Sequence, residues 1–390
     1  MKNYTRIAVF LLFFSANITM FAQDNHFIMW NANGISQTVN VPYEKDQSGD
    51  VITNIINVGD AVAVDLSTIA GIMKTTTIGE WIVRTLTYTF VASTNPNCLY
   101  FVDEDTEISD EMAKSLEGLN VVKGTTAGDI ILTDGFPFFT PHDFTATTIR
   151  YERLFEKGNQ QGVGGGWQTI VLPFDVQTVT ADGKSLKWFA NAYDDADFWV
   201  FRFTGDNDNT ALFDFNDENK MSATTPYIVA VPNQSWAGSN SSLEGKSLAF
   251  CAENVLVSSA APKTIESDNM RFIGTYAGSN ELINAFVIND EGSFFTSNNT
   301  VEAFNAYIQK KNGMPADARI SIFFNDGTET GLNGVRLKDT PRKYHSVYDL
   351  QGRRIGSSGH HSTSDGLAAP GKYSLDKGIY IIDGKKVVVR

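Results

Sequence analysis

The sequence predicts an all-β protein, built as one or two β-sandwich-like domains followed by a small C-terminal β module. Runs in which apolar and polar residues alternate recur along the chain, with turn residues about every 8–20 positions, a spacing typical of sandwiches and barrels. The composition agrees, because 27 Phe, 13 Tyr and 32 Gly favour strands and tight turns over helices.

The strand pattern is clearest at residues 86–90, where Leu86, Tyr88 and Phe90 alternate with threonines. We predict further strands in AVAVDL, NVVKG, DIILTDG, TIRYERLF, WQTIVLPF, FWVFRF, ALFDF, PYIVAVP, MRFIGTY, AFVIND, GSFFTS, AFNAYIQ and RISIFF. One helix is predicted in SDEMAKSLEGL, with Ser109 as its N-cap and Gly118 at its end.

Two breaks divide the chain. The glycine-rich stretch at 156–166 could be an interdomain linker or the loop of a long hairpin, since glycine's backbone freedom suits either. The stretch at 325–346 has no strand pattern and is the better boundary. We therefore expect a β domain at 23–155, a second sandwich-like domain at 156–325, a linker at 326–345 and a β tail at 346–390.

The charge is unevenly distributed along the chain. The formal net charge is −14, yet residues 336–390 hold 11 basic and 5 acidic residues, which leaves 20 basic and 40 acidic residues in 1–335. Lys and Arg supply most of the affinity of proteins for polyphosphate, so a body with a net charge of −20 argues against nucleic-acid binding.

Residues 1–22 have the layout of a secretory signal peptide. Lys2 and Arg6 precede an apolar run from Ile7 to Phe14, and Ala22 supplies a small residue for cleavage. We expect the mature chain to begin at Gln23. The apolar run is too short to span a bilayer and no later stretch is longer, so we expect no transmembrane segment in the mature chain.

The two cysteines, Cys98 and Cys251, lie in strand-like runs of different predicted domains. In an oxidising compartment they could form a disulfide. Because each lies beside apolar residues, we favour two buried free thiols that act as small hydrophobic side chains.

The last residues, 377–390, predict a β-hairpin. Asp383-Gly384 is a strong signal for a two-residue type I′ turn, which needs positive φ at both central positions. The flanking segments IYII and KKVVVR would pair across it, and VYDLQGRRI could add a further strand. The basic residues would keep an edge strand soluble.

This tail resembles the C-terminal sorting tails of proteins exported by type IX secretion in Gram-negative gut and oral anaerobes. The resemblance rests on VYDLQGR, on the triplet GIY and on the final KKVVV. It implies delivery to the outer membrane surface or the medium, or retention in the periplasm if the tail does not function, with the export machinery as partner. The tail residues that it singles out are Gly378, Tyr380, Asp383, Gly384, Lys385 and Lys386.

Residues 95–325 also resemble a recurrent secreted module of the same bacteria. That resemblance rests on NPNCLYFV, NVVKGTTAGDIILTDGFPFFTP, FTATTIRYERLF, GGGWQTIVLPFDV, TPYIVAVP and AFNAYIQ. It implies neither an activity nor catalytic residues.

Candidate catalytic motifs are few. His142 is the one histidine inside the body, and no G-x-S-x-G motif accompanies it, so we interpret it as a loop histidine. The Gly-Lys-Ser sequences at 183–185 and 245–247 lack the earlier glycine of a phosphate loop and are predicted as turns. We expect no catalytic residues and no cofactor.

One acidic, aromatic stretch offers weaker candidates. Asp206, Asp208, Thr210, Asp214 and Asp217 have spacings similar to those of a calcium loop, but Ala211 replaces its glycine, so we favour acidic turns and expect no metal site. Trp188, Tyr193 and Trp199 could form a platform for stacking a sugar, although core packing competes for such rings.

Two functional hypotheses remain. The first is a secreted or surface β protein, not an enzyme, that binds a glycan or a surface protein, mediates adhesion or builds surface structure. The second is a glycan-processing hydrolase with two carboxylates, whose pairing is defined by distance in the fold. A cleft that holds two carboxyl groups beside an exposed aromatic ring would favour the second hypothesis, and a filled sandwich would favour the first.

Overall fold

The structure is a computed structural model, which describes residues 26–41, 43–45, 51–70, 87–105, 110–161, 163–188, 196–207, 210–216, 218, 220–236, 242–311, 319–324, 328–330, 345–348, 354–358, 378–382 and 385–389. The chain divides into two compact units, residues 1–335 and 336–390. The all-β prediction is confirmed, because the described residues form strands and only two short helical segments, Ser67–Ala70 and Asp110–Ser115.

The first half of the larger unit contributes β1 (His26–Trp30), β2 (Ser36–Asn40), β3 (Tyr43–Lys45), β4 (Val51–Asn57), β5 (Ala63–Asp65), β6 (Thr87–Val91), β7 (Leu99–Val102), β8 (Asn120–Lys123), β9 (Thr126–Thr133) and β10 (Phe144–Phe155). The second half contributes β11 (Gln168–Ile170), β12 (Thr178–Ala181), β13 (Lys184–Leu186), β14 (Trp199–Asn207), β15 (Thr210–Phe215), β16 (Tyr227–Ala230), β17 (Lys246–Val257), β18 (Thr264–Glu266), β19 (Met270–Thr275), β20 (Ala285–Ile288), β21 (Phe294–Ser297), β22 (Asn305–Lys310), β23 (Arg319–Phe324) and β24 (Thr328–Thr330).

These strands form two large sheets and one small sheet. The first sheet has ten strands in the order β13-β12-β17-β10-β9-β8-β7-β5-β1-β2. The second has eleven, in the order β11-β16-β14-β15-β23-β21-β20-β22-β19-β18, with β24 paired to β23. The small sheet has the order β3-β4-β6.

The boundary predicted at residues 155/156 lies inside the larger unit. Strand β10, from the predicted N-terminal domain, pairs with β17, from the second, between Phe144 opposite Val257 and Phe155 opposite Lys246. The glycine-rich stretch 156–166 carries the chain from β10 in the first sheet to β11 in the second. It is therefore neither an interdomain linker nor the loop of a long hairpin, because the two sheets that it connects share one core.

The main core lies between the two large sheets. It joins inward-facing side chains of the first sheet, such as Ile149 and Tyr151, to those of the second, such as Ile170 and Val229. A second cluster lies on the other side of β5 and β7, where Val64 and the residues Cys98, Tyr100 and Val102 pack against others such as Phe27 and Ile56. Strands β5 and β7 are therefore covered on both faces, which explains why consecutive residues are buried in both, Ala63 and Val64 in β5 and all four residues of β7.

The predicted helix is confirmed at Asp110–Ser115. Gly118 follows it with a φ of 78°, a left-handed conformation that glycine adopts without strain at a helix end. Among the described residues, no helix combines the length and apolar character that crossing a bilayer requires.

The smaller unit contains one antiparallel sheet of four strands, β25 (His345–Tyr348), β26 (Arg354–Ser358), β27 (Gly378–Ile382) and β28 (Lys385–Val389), in the order β26-β25-β27-β28. The predicted hairpin pairing is confirmed, since Ile382 lies opposite Lys385 and Gly378 opposite Val389. The turn residues Asp383 and Gly384 lie outside the described residues. The unit begins at Arg336, where the net charge of the sequence also reverses.

Candidate binding cleft

A cleft of about 660 Å³ opens in the larger unit where strands of the two large sheets meet. The first sheet contributes Asp134 after β9 and residues at the end of β10 and just after it. The second contributes β11 and the residues before it, the end of β20 with the turn that follows, and the segment from Asn298 into the start of β22. Its carboxylates are Asp134, Glu156, Asp290 and Glu302, and its amides are Gln168, Asn289, Asn298 and Asn305. The walls are therefore largely polar.

A buried arginine forms one side of the cleft and joins the two sheets. Arg153 lies on β10 with its side chain only 2% exposed. Its Nε donates to Asp134 Oδ2 at 3.0 Å and its Nη2 to Asp134 Oδ1 at 2.9 Å. Its remaining contacts are to acceptors of the second sheet, namely the carbonyls of Thr169 and Phe304 and the side chain of Asn305. All five N–H groups of the guanidinium therefore donate to acceptors within the protein.

Asn305 and Thr169 extend this network along the cleft. Asn305 Oδ1 accepts hydrogen bonds from Arg153 Nη1 at 3.3 Å and from Thr169 Oγ1 at 3.1 Å, and Asn305 Nδ2 donates to the Ala303 carbonyl. Thr169 Oγ1 in turn accepts from the Ala306 N–H at 2.9 Å. The orientation of the Asn305 amide is fixed by these partners.

The charge of Arg153 is maintained by its partners. Burial alone would lower the pKa of the guanidinium, but Tyr151 and the carboxylate of Asp134 outweigh burial and raise that pKa above its ordinary value. Tyr151 also donates its hydroxyl to Asp134 Oδ1. Burial, together with the negative charge of Asp134, raises the pKa of Tyr151, although Arg153 opposes that rise, so the phenol remains a donor.

The backbone beside this network is strained. Phe304 has a φ of 58° although its side chain is bulky and fully buried. A non-glycine residue in this left-handed region costs roughly 1–3 kcal/mol. Its carbonyl accepts from both Arg153 and the Val171 N–H, and the next residue is Asn305. The strained conformation therefore directs this carbonyl into the network.

Glycines allow a close approach of the backbone on the opposite side. Gly166 has a φ of 72°, and a Cβ there would lie 2.6 Å from the carbonyl carbon of Gly158. Gly292 has a φ of 64°, and its Cβ would lie 2.3 Å from the Trp167 nitrogen. Both positions therefore require glycine for conformation and for space.

The aromatic platform predicted from the sequence is only partly described. Trp188 is 3% exposed and packs against Phe198 in the main core, and Trp199 is 4% exposed and packs against Trp236 at 4.7 Å between ring centres. Neither ring has a face open to solvent on which a sugar could stack, because core packing covers both. Tyr193 lies outside the described residues. In the cleft itself, the lining aromatic residue Trp167 is 1% exposed.

His142 is exposed and its ring lies edge-on to Phe101 at 6.1 Å. The neighbouring Asp143 accepts hydrogen bonds from the backbone and hydroxyl of Ser259, which lower the pKa of Asp143. The carboxylate therefore binds the serine directly, and the three residues do not form a relay in which histidine stands between serine and aspartate.

The acidic stretch is structural where it is described. Asp206, at the end of β14, accepts four hydrogen bonds from the 267–270 turn, donated by Ser267 Oγ, by the backbone of Asn269 and Met270 and by Asn269 Nδ2. Asp208 and Asp217 lie outside the described residues. In the part of the chain that the structure describes, no group of three His, Cys, Asp or Glu side chains is arranged to hold a metal ion.

The remaining sequence candidates behave as follows. Cys98 is buried and Cys251 is half-buried, and both are free thiols. Gly183 and Gly245 adopt φ values of 75° and 76°, and β13 and β17 start directly after them, which confirms the predicted turns.

Comparison of the chain with protein-family models, with curated proteins and with solved structures finds no match.

Neither the cleft nor the role of Arg153 was predicted from the sequence. A signal for Arg153 was present, because Ile149, Tyr151, Arg153 and Phe155 occupy the buried positions of one alternating strand. A charged residue in an inward series predicts a buried partner of opposite charge. The identity of that partner, Asp134, and of Asn305 depends on pairings that only the folded chain provides.

Proposed function

We propose that this chain is an exported β protein of the cell surface or the medium, whose larger unit binds a ligand and whose C-terminal unit is a sorting signal. The observation that carries the proposal is the division at 335/336. A compact unit with its own four-stranded sheet coincides with the reversal of charge, and it contains the segments that resemble type IX sorting tails.

The position of β28 supports the sorting role. Among the strands that the structure describes, KKVVV is at one edge of the four-stranded sheet and pairs with β27 alone. An edge strand offers unpaired backbone groups to which another chain can add a strand, and its two lysines discourage self-association. Lys385 and Lys386 begin this strand, and Gly378 and Tyr380 lie on β27.

The cleft supports a binding role for the larger unit. A concave polar surface with fixed side chains is suited to recognition, and a purely structural sandwich does not need one. Adhesion through this cleft is compatible with delivery to the surface.

A glycan-processing hydrolase is the second candidate function. The observation that favours it is the presence of four carboxylates, Asp134, Glu156, Asp290 and Glu302, around one cleft, since such enzymes act through a pair of carboxyl groups. The absence of an exposed ring among the described lining residues weakens this candidate, because sugar-processing sites commonly stack a substrate on an aromatic face.

Fractionation of the native host tests the main proposal. Cells that produce the full-length chain should deliver it to the surface or the medium, and cells that produce residues 1–335 should accumulate the chain in the periplasm. The control is the full-length chain with Gly183→Ala, a change in an open turn of the larger unit. Surface delivery of the truncated chain at the full-length level would contradict the proposal.

A further inference from the structure

We propose that the cleft binds a neutral saccharide, whose hydroxyl groups exchange hydrogen bonds with the Gln168 and Asn298 amides and donate to the Glu302 carboxylate, beside the Arg153 network. This inference rests on the proposed binding function and names its ligand class. The cleft's volume of about 660 Å³ lies within the range of about 300–1,000 Å³ common to small-molecule sites.

The Arg153 network beside the cleft costs more free energy than the stability of the fold requires. A buried charge pair loses the hydration of both ions, and apolar side chains of similar volume often stabilise a fold as well or better. Arg153 is 2% exposed, and Phe304 beside it is held at a positive φ. The buried arginine donates to Asn305, and the strained Phe304 directly precedes it; Asn305 is a lining residue of the cleft. Their effect is to fix polar groups in place before a ligand arrives, as recognition sites require.

The free groups of the lining match the hydroxyl groups of a sugar. The Gln168 amide offers a donor and an acceptor, the Glu302 carboxylate offers acceptors, and each sugar hydroxyl can use both kinds of partner. Glu302 is exposed and Gln168 is half-buried. Asn298 uses its Oδ1 to accept from the Thr300 N–H, which turns the amide while leaving its Nδ2 for a ligand.

The charge of the lining argues against an anionic ligand. Asp134 is neutralised by Arg153, and Lys157 pairs with Glu291 at 2.7 Å. In the described part of the chain, Glu156, Asp290 and Glu302 form no ion pair, so the cleft keeps an excess of negative charge. A phosphate, a sulfate or an acidic sugar would be repelled.

A basic peptide is the competing ligand that such charge admits. The lining favours the saccharide, because its four amides and two threonine hydroxyls outnumber its four carboxylates, and such groups can serve uncharged ligands. A ligand chosen by charge alone would make no use of the Gln168 amide or of Asn298 Nδ2.

Isothermal titration of the mature chain, residues 23–390, tests the inference. The probes are maltoheptaose, cellohexaose, laminarihexaose, xylohexaose and mannohexaose, with oligolysine as the cationic competitor. We expect at least one saccharide to bind. Gln168→Ala and Glu302→Ala should each weaken that binding about tenfold, the loss of roughly one good hydrogen bond. Neither side chain belongs to the Arg153 network, so the melting temperature should not change.

The matched controls are Gln37→Ala on the edge strand β2 and Glu117→Ala after the helix Asp110–Ser115, both exposed and outside the cleft lining. Saccharide binding that both cleft variants retain at full affinity, binding of oligolysine alone, or no saccharide binding at millimolar concentration would each overturn the inference. Export of the same chain is scored separately by fractionation. A failed titration with normal delivery would therefore refute the saccharide, and a failed delivery with normal titration would refute the sorting role.

Discussion

Arg153 on β10 and Asp134 after β9 form a two-pronged ion pair in which Nε and Nη2 reach both carboxylate oxygens, at 3.0 and 2.9 Å. The arginine is 2% exposed and the aspartate 32% exposed. The pair thus lies between the main core and the cleft. Removal of Asp134 would leave a buried guanidinium without its counter-charge.

Asp134→Ala should lower the free energy of unfolding by about 3–5 kcal/mol, because it leaves a buried guanidinium without its counter-charge. The double variant Asp134→Ala/Arg153→Met should recover much of this loss, since the charge is then absent. Urea unfolding of the three chains measures both effects.

Glu152→Ala is the matched control on the same strand. It removes the partner of Arg150, a pair whose side chains are 53% and 51% exposed, and it should change stability by less than about 1 kcal/mol. Equal losses for Asp134→Ala and Glu152→Ala would show that the buried pair has no special weight.

Gly166→Ala should destabilise the larger unit by about 1–3 kcal/mol more than Gly183→Ala. The two glycines have nearly equal φ values of 72° and 75°, so the conformational strain of alanine is matched. At Gly166 a Cβ would meet the backbone of Gly158 and Asn159, whereas at Gly183 nothing lies within 4 Å. Thermal melting compares the two, and equal shifts would contradict the close backbone approach.

Asp206 should make stability depend on pH in the acid range. Partial burial alone would raise its pKa, but the hydrogen bonds from Ser267, Asn269 and Met270 outweigh burial and lower that pKa below 3.8. The stabilisation is therefore fully present above the ordinary carboxyl pKa and is lost as pH falls through the lowered value.

Urea titrations between about pH 6 and about pH 3 check this sign. Wild type should be more stable than Asp206→Asn at the upper end, and the difference should shrink toward the lower end. A difference that grows as pH falls would reverse the assignment. Asp268→Asn, an exposed residue of the same turn, serves as the control at pH 6 and should leave the urea midpoint unchanged.

Cys98 should resist thiol reagents in the folded chain. Burial raises the pKa of its thiol to about 12, outweighing hydrogen bonds from Tyr100 and Ser93, so the reactive thiolate is scarce at neutral pH. Burial also raises the pKa of Cys251, which is only half-buried.

A colorimetric thiol assay should therefore find at most one slow thiol in the native chain and two after unfolding without reductant. The variant Cys251→Ser should lose the slow reaction and retain one thiol in the unfolded state. Detection of no thiol in the unfolded wild type would indicate the alternative of a disulfide.

Local patterns predicted the parts of the fold that depend on neighbouring residues. Alternation located β10 and β14, Gly118 ended the helix, and the signal at 383–384 gave the pairing of β27 with β28. These features depend on side-chain period and on backbone conformation, which a short segment already contains.

Contacts and strand pairings between residues far apart in the chain could not be predicted from the sequence. Arg153 and Asn305 are 152 residues apart, and β10 lies between a parallel neighbour, β9, and an antiparallel one, β17, which no local pattern distinguishes. For the same reason the stretch 156–166 was interpreted as a possible linker, although it connects two sheets of one unit. The cleft was not predicted because its residues come from five separate parts of the chain.

Transfer of residues 326–390 to an unrelated periplasmic reporter tests whether the C-terminal unit is an independent sorting signal. The reporter carries residues 1–22, the predicted signal peptide, and is produced in the native host, and protease added to intact cells measures its exposure. If the C-terminal unit is a sorting signal, the fused reporter should reach the surface or the medium while the reporter without the tail stays protected in the periplasm. Equal protection of both reporters would contradict the claim that the C-terminal unit is an independent sorting signal.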